Sequence, residues 1–150
     1  MGRVIGIPLS KGNGEDVIAG HIIEADLVGA FEGQAIYMVD GSPVSGEHEL
    51  STVSTAGSFY GWALDINRCT GYCSVLRSAD TVYLPSNGGA GFTIGDAVTV
   101  NPAGLIDPAG LIITNGVIVL AGATQGINGK TGAAVTDCVC IRISGARDVS

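Results

Sequence analysis

The chain has 150 residues, seven basic and fourteen acidic side chains, and a formal net charge of −7. Its two lysines, Lys11 and Lys130, and its five scattered arginines form no basic stripe, which argues against direct binding to a nucleic-acid backbone. Charged residues make up 14 % of the sequence, well below the roughly 25 % of ordinary soluble domains.

Low charge can signal a membrane, but no apolar run approaches the ~20 residues that a spanning helix needs. Apolar surface covered by partner subunits is the better explanation. Hydrophobic residues reach 46 % while aromatic ones reach only 5 %, so Val, Ile, Leu and Ala must build the core. The start, Met1 to Pro8, has no continuous apolar stretch after Arg3. No secretory signal is read there, and the chain is expected to fold in a cytoplasm.

Residues 1–16 read as a flexible N-terminal arm, since Gly12-Asn-Gly-Glu-Asp is polar and Gly-rich. Such an arm is expected to order by docking on a neighbour. Residues 17–150 read as one domain. Val17 to Leu27 suits either short strands or a short helix, and its β-branched content with Gly20 favours strand. Gly33 to Val39 is a strand running into the Asp40-Gly-Ser-Pro turn. Glu49 to Val53 leads into Ser58 to Ile66, the most aromatic strand of the chain.

Tyr72 to Ser78 and Ala79 to Pro85 read as two further strands. Ala97 to Asn101, Leu111 to Leu120 and Val139 to Ser144 follow. Between them stand Asn101-Pro, Asp107-Pro-Ala-Gly and Asn115-Gly, turn signals because Pro presets φ and Gly or Asn accepts φ > 0. Eight or so short strands with turns every 8–12 residues predict an all-β, single-domain antiparallel sandwich or small barrel.

Reactive chemistry is sparse. His21 lies in an apolar run and reads as a core or interface histidine. His48, in Ser45-Gly-Glu-His-Glu, reads as part of a solvated loop. Ser10, Ser42 and Ser58 lack a Gly-x-Ser-x-Gly elbow. Asn87-Gly-Gly-Ala-Gly-Phe is followed by no helix pattern, and Gly126-Ile-Asn-Gly-Lys-Thr-Gly lacks the upstream glycine of a P-loop. The second stretch reads as a hairpin tip.

Cys69 with Cys73 and Cys138 with Cys140 could between them bind zinc or form disulfides. The spacing is not Cys-x2-Cys, however, and Cys138-Val-Cys-Ile-Arg-Ile alternates like a strand with both thiols on one face. Small core residues are the favoured reading. No catalytic, cofactor-binding or metal-binding residue is assigned, and no enzyme activity is expected.

The order of segments resembles the cement, or decoration, proteins of tailed-bacteriophage capsids. Val17-Ile-Ala-Gly-His-Ile-Ile, Gly33-Gln-Ala-Ile-Tyr-Met-Val and Phe59-Tyr-Gly-Trp-Ala-Leu are followed by Tyr72-Cys-Ser-Val-Leu-Arg-Ser-Ala-Asp-Thr-Val-Tyr-Leu. Gly95-Asp-Ala-Val-Thr-Val, Gly116-Val-Ile-Val-Leu and Cys138-Val-Cys-Ile-Arg-Ile complete the series, from about Val17 to Ser144. Ser78-Ala-Asp departs from the family's Lys-Gly-Asp-like turn, and Thr99 stands where an aromatic is common.

The resemblance implies a structural virion protein on the outer surface of the head, clamping neighbouring major capsid subunits. It also implies a homodimer or homotrimer, with no membrane and no direct nucleic-acid contact. Competing readings are a tail or fibre domain and a small carbohydrate-binding β module. The latter would use Tyr60, Trp62 and Tyr72 as stacking rings.

Overall fold

Five strands close into a small barrel, and one of them continues into a second sheet. A computed structural model describes residues 2–4, 16–39, 49–87, 91–128 and 134–143. The strands are β1 (Gly2–Val4), β2 (Asp16–Ile22), β3 (Ala35–Val39), β4 (Glu49–Ser51), β5 (Gly57–Ile66), β6 (Tyr72–Pro85), β7 (Ala97–Val100), β8 (Ile112–Asn128) and β9 (Ala134–Ile143). A one-turn helix α1 (Glu24–Leu27) follows β2, and a 3-10 turn, Ser54–Ala56, precedes β5. The protein is thus nearly all β.

Each barrel strand pairs with the next in the ring β2–β4–β3–β5–β6, and β6 returns to β2. All five strands send side chains into the lumen. Ile22, Ile36, Leu50, Tyr60, Ala63, Ile66, Cys73 and Val75 are buried there together. A barrel this small has room only for side chains, so it is a packed core rather than a channel.

The second sheet is built from β8 and β9, with β7 on the far edge of β8 and the second half of β6 beside β9. Here β6 does two jobs. Tyr72 to Ser78 pairs within the barrel, and Ala79 to Pro85 pairs with β9 after a shift of register between Ala79 and Val82. A strand that turns a corner through an irregularity is the usual way for one chain to serve two packed sheets.

The larger core lies between barrel wall and second sheet. Tyr37, Trp62, Leu76, Val82, Leu84, Val98, Val100, Ile106, Ile118, Val139, Ile141 and Ile143 meet there. The wall strand β5 is therefore buried on both faces, which is why Tyr60 to Ala63 is a continuous buried run. The same holds for Cys138 to Ile141 in β9.

Of the expected arm, Gly2–Val4 pairs parallel with the far end of β8 and meets β6 at Tyr83, while residues 5–15 lie outside the described residues. The span 17–27, where strand and helix were both open, divides between β2 and α1. The two strands expected at 72–78 and 79–85 are one strand of 14 residues, and the strand expected at 111–120 runs on to Asn128. The hairpin expected near residue 130 is seen in the pairing of Ile127 with Ala134, with its tip at 129–133 outside the described residues.

Candidate functional site

The histidines do not build a reactive centre among the described residues. His21 lies on the outer face of β2, half-buried, with its ring 4.0 Å from that of Tyr72 at the neighbouring position on β6. Glu49 on β4 is its register partner on the other side. His48 lies outside the described residues. No group of three His, Cys, Asp or Glu side chains among the described residues is placed to hold a metal ion.

Of the three rings that could stack on a sugar, two are buried. Trp62 is 0 % exposed and Tyr60 6 %, and a shift of register beside Gly61 sends them to opposite faces of β5. Phe59 and Trp62 instead pack edge-to-face, with centroids 5.4 Å apart. Tyr60 faces the lumen and carries the Arg77 guanidinium 4.3 Å over its ring, while Arg77 Nε donates to the Tyr60 carbonyl. These geometries are structural.

All four cysteines are free thiols, and the two sequence pairs are not brought together. Cys69 is exposed in the Asn67–Gly71 turn, where Asn67 Oδ1 accepts from the amides of Cys69 and Thr70. Cys73 points into the barrel, while Cys138 and Cys140 are buried on β9. Burial, with smaller contributions from Glu32 and Asp65, pushes the Cys73 thiol up to about 12. Burial also raises Cys140, against a partly offsetting hydrogen bond from the Tyr83 hydroxyl. Because the thiolate is the nucleophile, a disulfide-exchange reagent at pH 8 is expected to titrate one fast thiol per native chain. The other three are expected only on unfolding, and Cys69→Ser should abolish the fast phase.

Clefts are shallow. One of about 230 Å³ runs between Phe92, Val98, Ile106 and Pro108, with Asp96 as its ionisable group. Another, of about 340 Å³, lies between α1 and the Asn67–Gly71 turn. There Arg68 donates to the carbonyls of Leu27 and Ala30 and so satisfies the end of α1.

One side chain, that of Asp107, closes the loop 101–110 on itself and ties it to Asn87 after β6. Asp107 accepts from Asn87 Nδ2 at 2.9 Å, from the Ala109 amide at 2.9 Å and from Asn101 Nδ2 at 3.2 Å. Its own amide donates to the Thr99 carbonyl. The Asn87 bond first, then those from Ala109 and Asn101, hold the Asp107 carboxyl below its ordinary value. A depressed folded pKa means that this stabilisation is complete above the unfolded value and is lost as pH falls through the folded one. Asp107→Ala is therefore expected to melt earlier than the parent protein at pH 7. That gap should close as pH drops below the ordinary carboxylate range, as followed by thermal denaturation at a series of pH values.

What remains is surface. Ile113 is 71 % exposed and Val117 37 %, with Leu111 and Ile94 more than half exposed beside them. Register partners share a face, so Ala97 and Thr99 of β7 stand beside Val117 and Ile113 of β8 on the outside of the second sheet. Sequence periodicity marked 111–120 as a strand but gave no sign of which of its faces was left open.

No protein-family model matches the chain, and comparison with curated proteins finds no relative.

Proposed function

We propose that the chain is a structural virion protein of the capsid cement class, bound to the outer surface of a phage head and bridging major capsid protein subunits. The observation that carries this reading is the order of segments from Val17 to Ser144, which resembles that family along nearly the whole chain. The character of the molecule is in keeping with it. Its larger aromatic rings, Phe59, Tyr60 and Trp62, are used in packing.

Cement works by repetition. A ligand present at 100 times its Kd adds about 2.7 kcal/mol to each site it occupies. Summed over a closed lattice, modest contacts resist a large internal pressure. Low charge and β-branched strands suit such a protein, since flat sheet surfaces and edges make contacts without desolvating ions.

The test is reconstitution. Purified protein mixed with expanded heads that lack it should co-sediment saturably, at a fixed number of copies per capsid subunit, and should raise the temperature at which those heads release DNA. Failure to co-sediment, or binding that never saturates, would overturn the reading.

A further inference from the structure

Asparagine occurs six times in the chain, and four of the six are followed by glycine: Asn13, Asn87, Asn115 and Asn128. In that dipeptide the carboxamide is easily lost. The glycine nitrogen attacks the asparagine Cγ, since no side chain hinders its approach, and a five-membered cyclic imide forms. Asparagine is for this reason among the thermolabile residues. In a folded chain the reaction depends on how freely the carboxamide and the following peptide nitrogen can move.

Asn115 and Asn87 make a matched pair, because Thr114 and Ser86 set a small hydroxyl residue before each. Asn115 is locked. It lies inside β8, its Nδ2 donates to the Arg77 carbonyl at 3.0 Å, and its Oδ1 is buried. Gly116, whose nitrogen would attack, is buried in register with Ile143 of β9. Its N–H donates to Thr114 Oγ1 at 3.2 Å. Attack there requires the strand to open first. Asn87 is held differently. It stands exposed just beyond the end of β6, and its carboxamide is tied from Nδ2 to Asp107 Oδ2 at 2.9 Å.

We propose that Asn87 is a site of spontaneous deamidation in the folded protein, and that Asp107 is the group that registers the change. The Gly88 nitrogen bonds to Asn87 Cγ, the Cγ–Nδ2 bond breaks, and the proton of that nitrogen leaves with ammonia. Water then opens the imide at either carbonyl, giving aspartate or isoaspartate and one new negative charge. Water is the only co-reactant. A donor to Asp107 thereby becomes a second carboxylate. The side-chain tie between the end of β6 and the loop 101–110 turns into a repulsion between like charges at close range. The change runs one way, and it falls on the loop rather than on either core. It does not depend on the capsid reading.

The test follows the full folded chain at pH 8 by peptide mass mapping at intervals, with isoaspartate counted by enzymatic methyl transfer. Asn87 should convert at least about 100-fold faster than Asn115, the protection given to a group reached only through local opening. In urea the two rates should converge to within a few-fold. Aspartate and isoaspartate should both appear at position 87, as a cyclic imide requires. Equal rates at the two sites in the folded chain, or conversion at neither, would overturn the assignment. Substitutions test the consequence. Asn87→Ala removes the tie alone, whereas Asn87→Asp adds the repulsion. At pH 7 the parent should melt highest, Asn87→Ala next and Asn87→Asp lowest. Below the carboxylate range Asn87→Asp should rise to meet Asn87→Ala, since a protonated carboxyl can donate again. An Asn87→Asp variant that melts with the parent at pH 7 would overturn the part given to Asp107.

Discussion

Trp62→Ala is expected to lower the unfolding free energy by about 3–5 kcal/mol, the range for removing a large aromatic from a packed core. The residue is 0 % exposed and stands where the barrel wall meets the second sheet, among Tyr37, Leu76, Ile118 and Ile141. With domain stabilities of about 5–15 kcal/mol, that loss is a large part of the total. Trp62→Phe should cost far less. The indole Nε1 is buried with no hydrogen-bond partner among the described residues, so removing it relieves an unsatisfied donor worth about 1–3 kcal/mol. That relief offsets much of the lost ring volume.

Urea titrations followed by circular dichroism decide the matter, through shifted midpoints at constant slope. Trp62→Ala and Trp62→Phe variants of equal stability would refute this account of the junction. Because β6 belongs to both sheets, each curve should also be a single transition rather than two.

The neighbouring position tests the opposite error. Gly61→Ala is expected to cost about 3 kcal/mol, at the upper end for overpacking. A Cβ at Gly61 would lie 2.5 Å from Val75 Cγ1 and 2.7 Å from the Leu76 carbonyl oxygen. Val75 is locked in the lumen, and the Leu76 backbone is committed to pairing with Trp62, so neither can retreat cheaply. Gly29→Ala, where a Cβ meets nothing within 4 Å, is the control and should change stability by no more than about 0.5 kcal/mol. Equal midpoints for the two alanine variants would refute the close approach at Gly61.

Gly61 also shows where strand arithmetic fails. Strict alternation puts Tyr60 and Trp62 on one face, as period two demands. In the fold Ile36 pairs with Gly61 while Tyr37 pairs with Phe59, so one residue of β5 has no opposite number. That irregularity resets the parity. Phe59 and Trp62 share the core between the sheets, while Tyr60 and Ala63 share the lumen. A one-residue slip sends side chains to the other face, and the glycine that permits it looks in the sequence like any other.

Strand continuity was hidden for a similar reason. Arg77-Ser-Ala-Asp looks like a break because it is polar. It is the corner of β6, and Ser78 is buried there opposite Asp16 of β2. Ala121 to Gln125 likewise resembles a turn by composition, yet β8 continues through it because β9 supplies partners on one side, and β1 lies along its far end from Gly126 onward. Small residues have weak strand preference, and tertiary pairing overrides it.

The sequence by itself determined the class of the protein. Short β-branched runs cut by Pro, Gly and Asn can form little else than an all-β domain. Too few aromatics and charges leave an aliphatic core, and the wide spacing of His, Ser and Cys offered no reactive constellation. Those properties are local, carried by propensity and turn chemistry within a few residues.

Closure of the ring β2–β4–β3–β5–β6, the passage of β6 between two sheets, and the burial of both faces of β5 and β9 were decided by tertiary structure. So was the row of Ala97, Val117 and Arg142 across β7, β8 and β9, whose members are 20 and 25 positions apart along the chain. Each depends on which strands lie side by side and in what register. That is fixed by filling the lumen and the space between the sheets with well-packed side chains, a condition that no single segment carries.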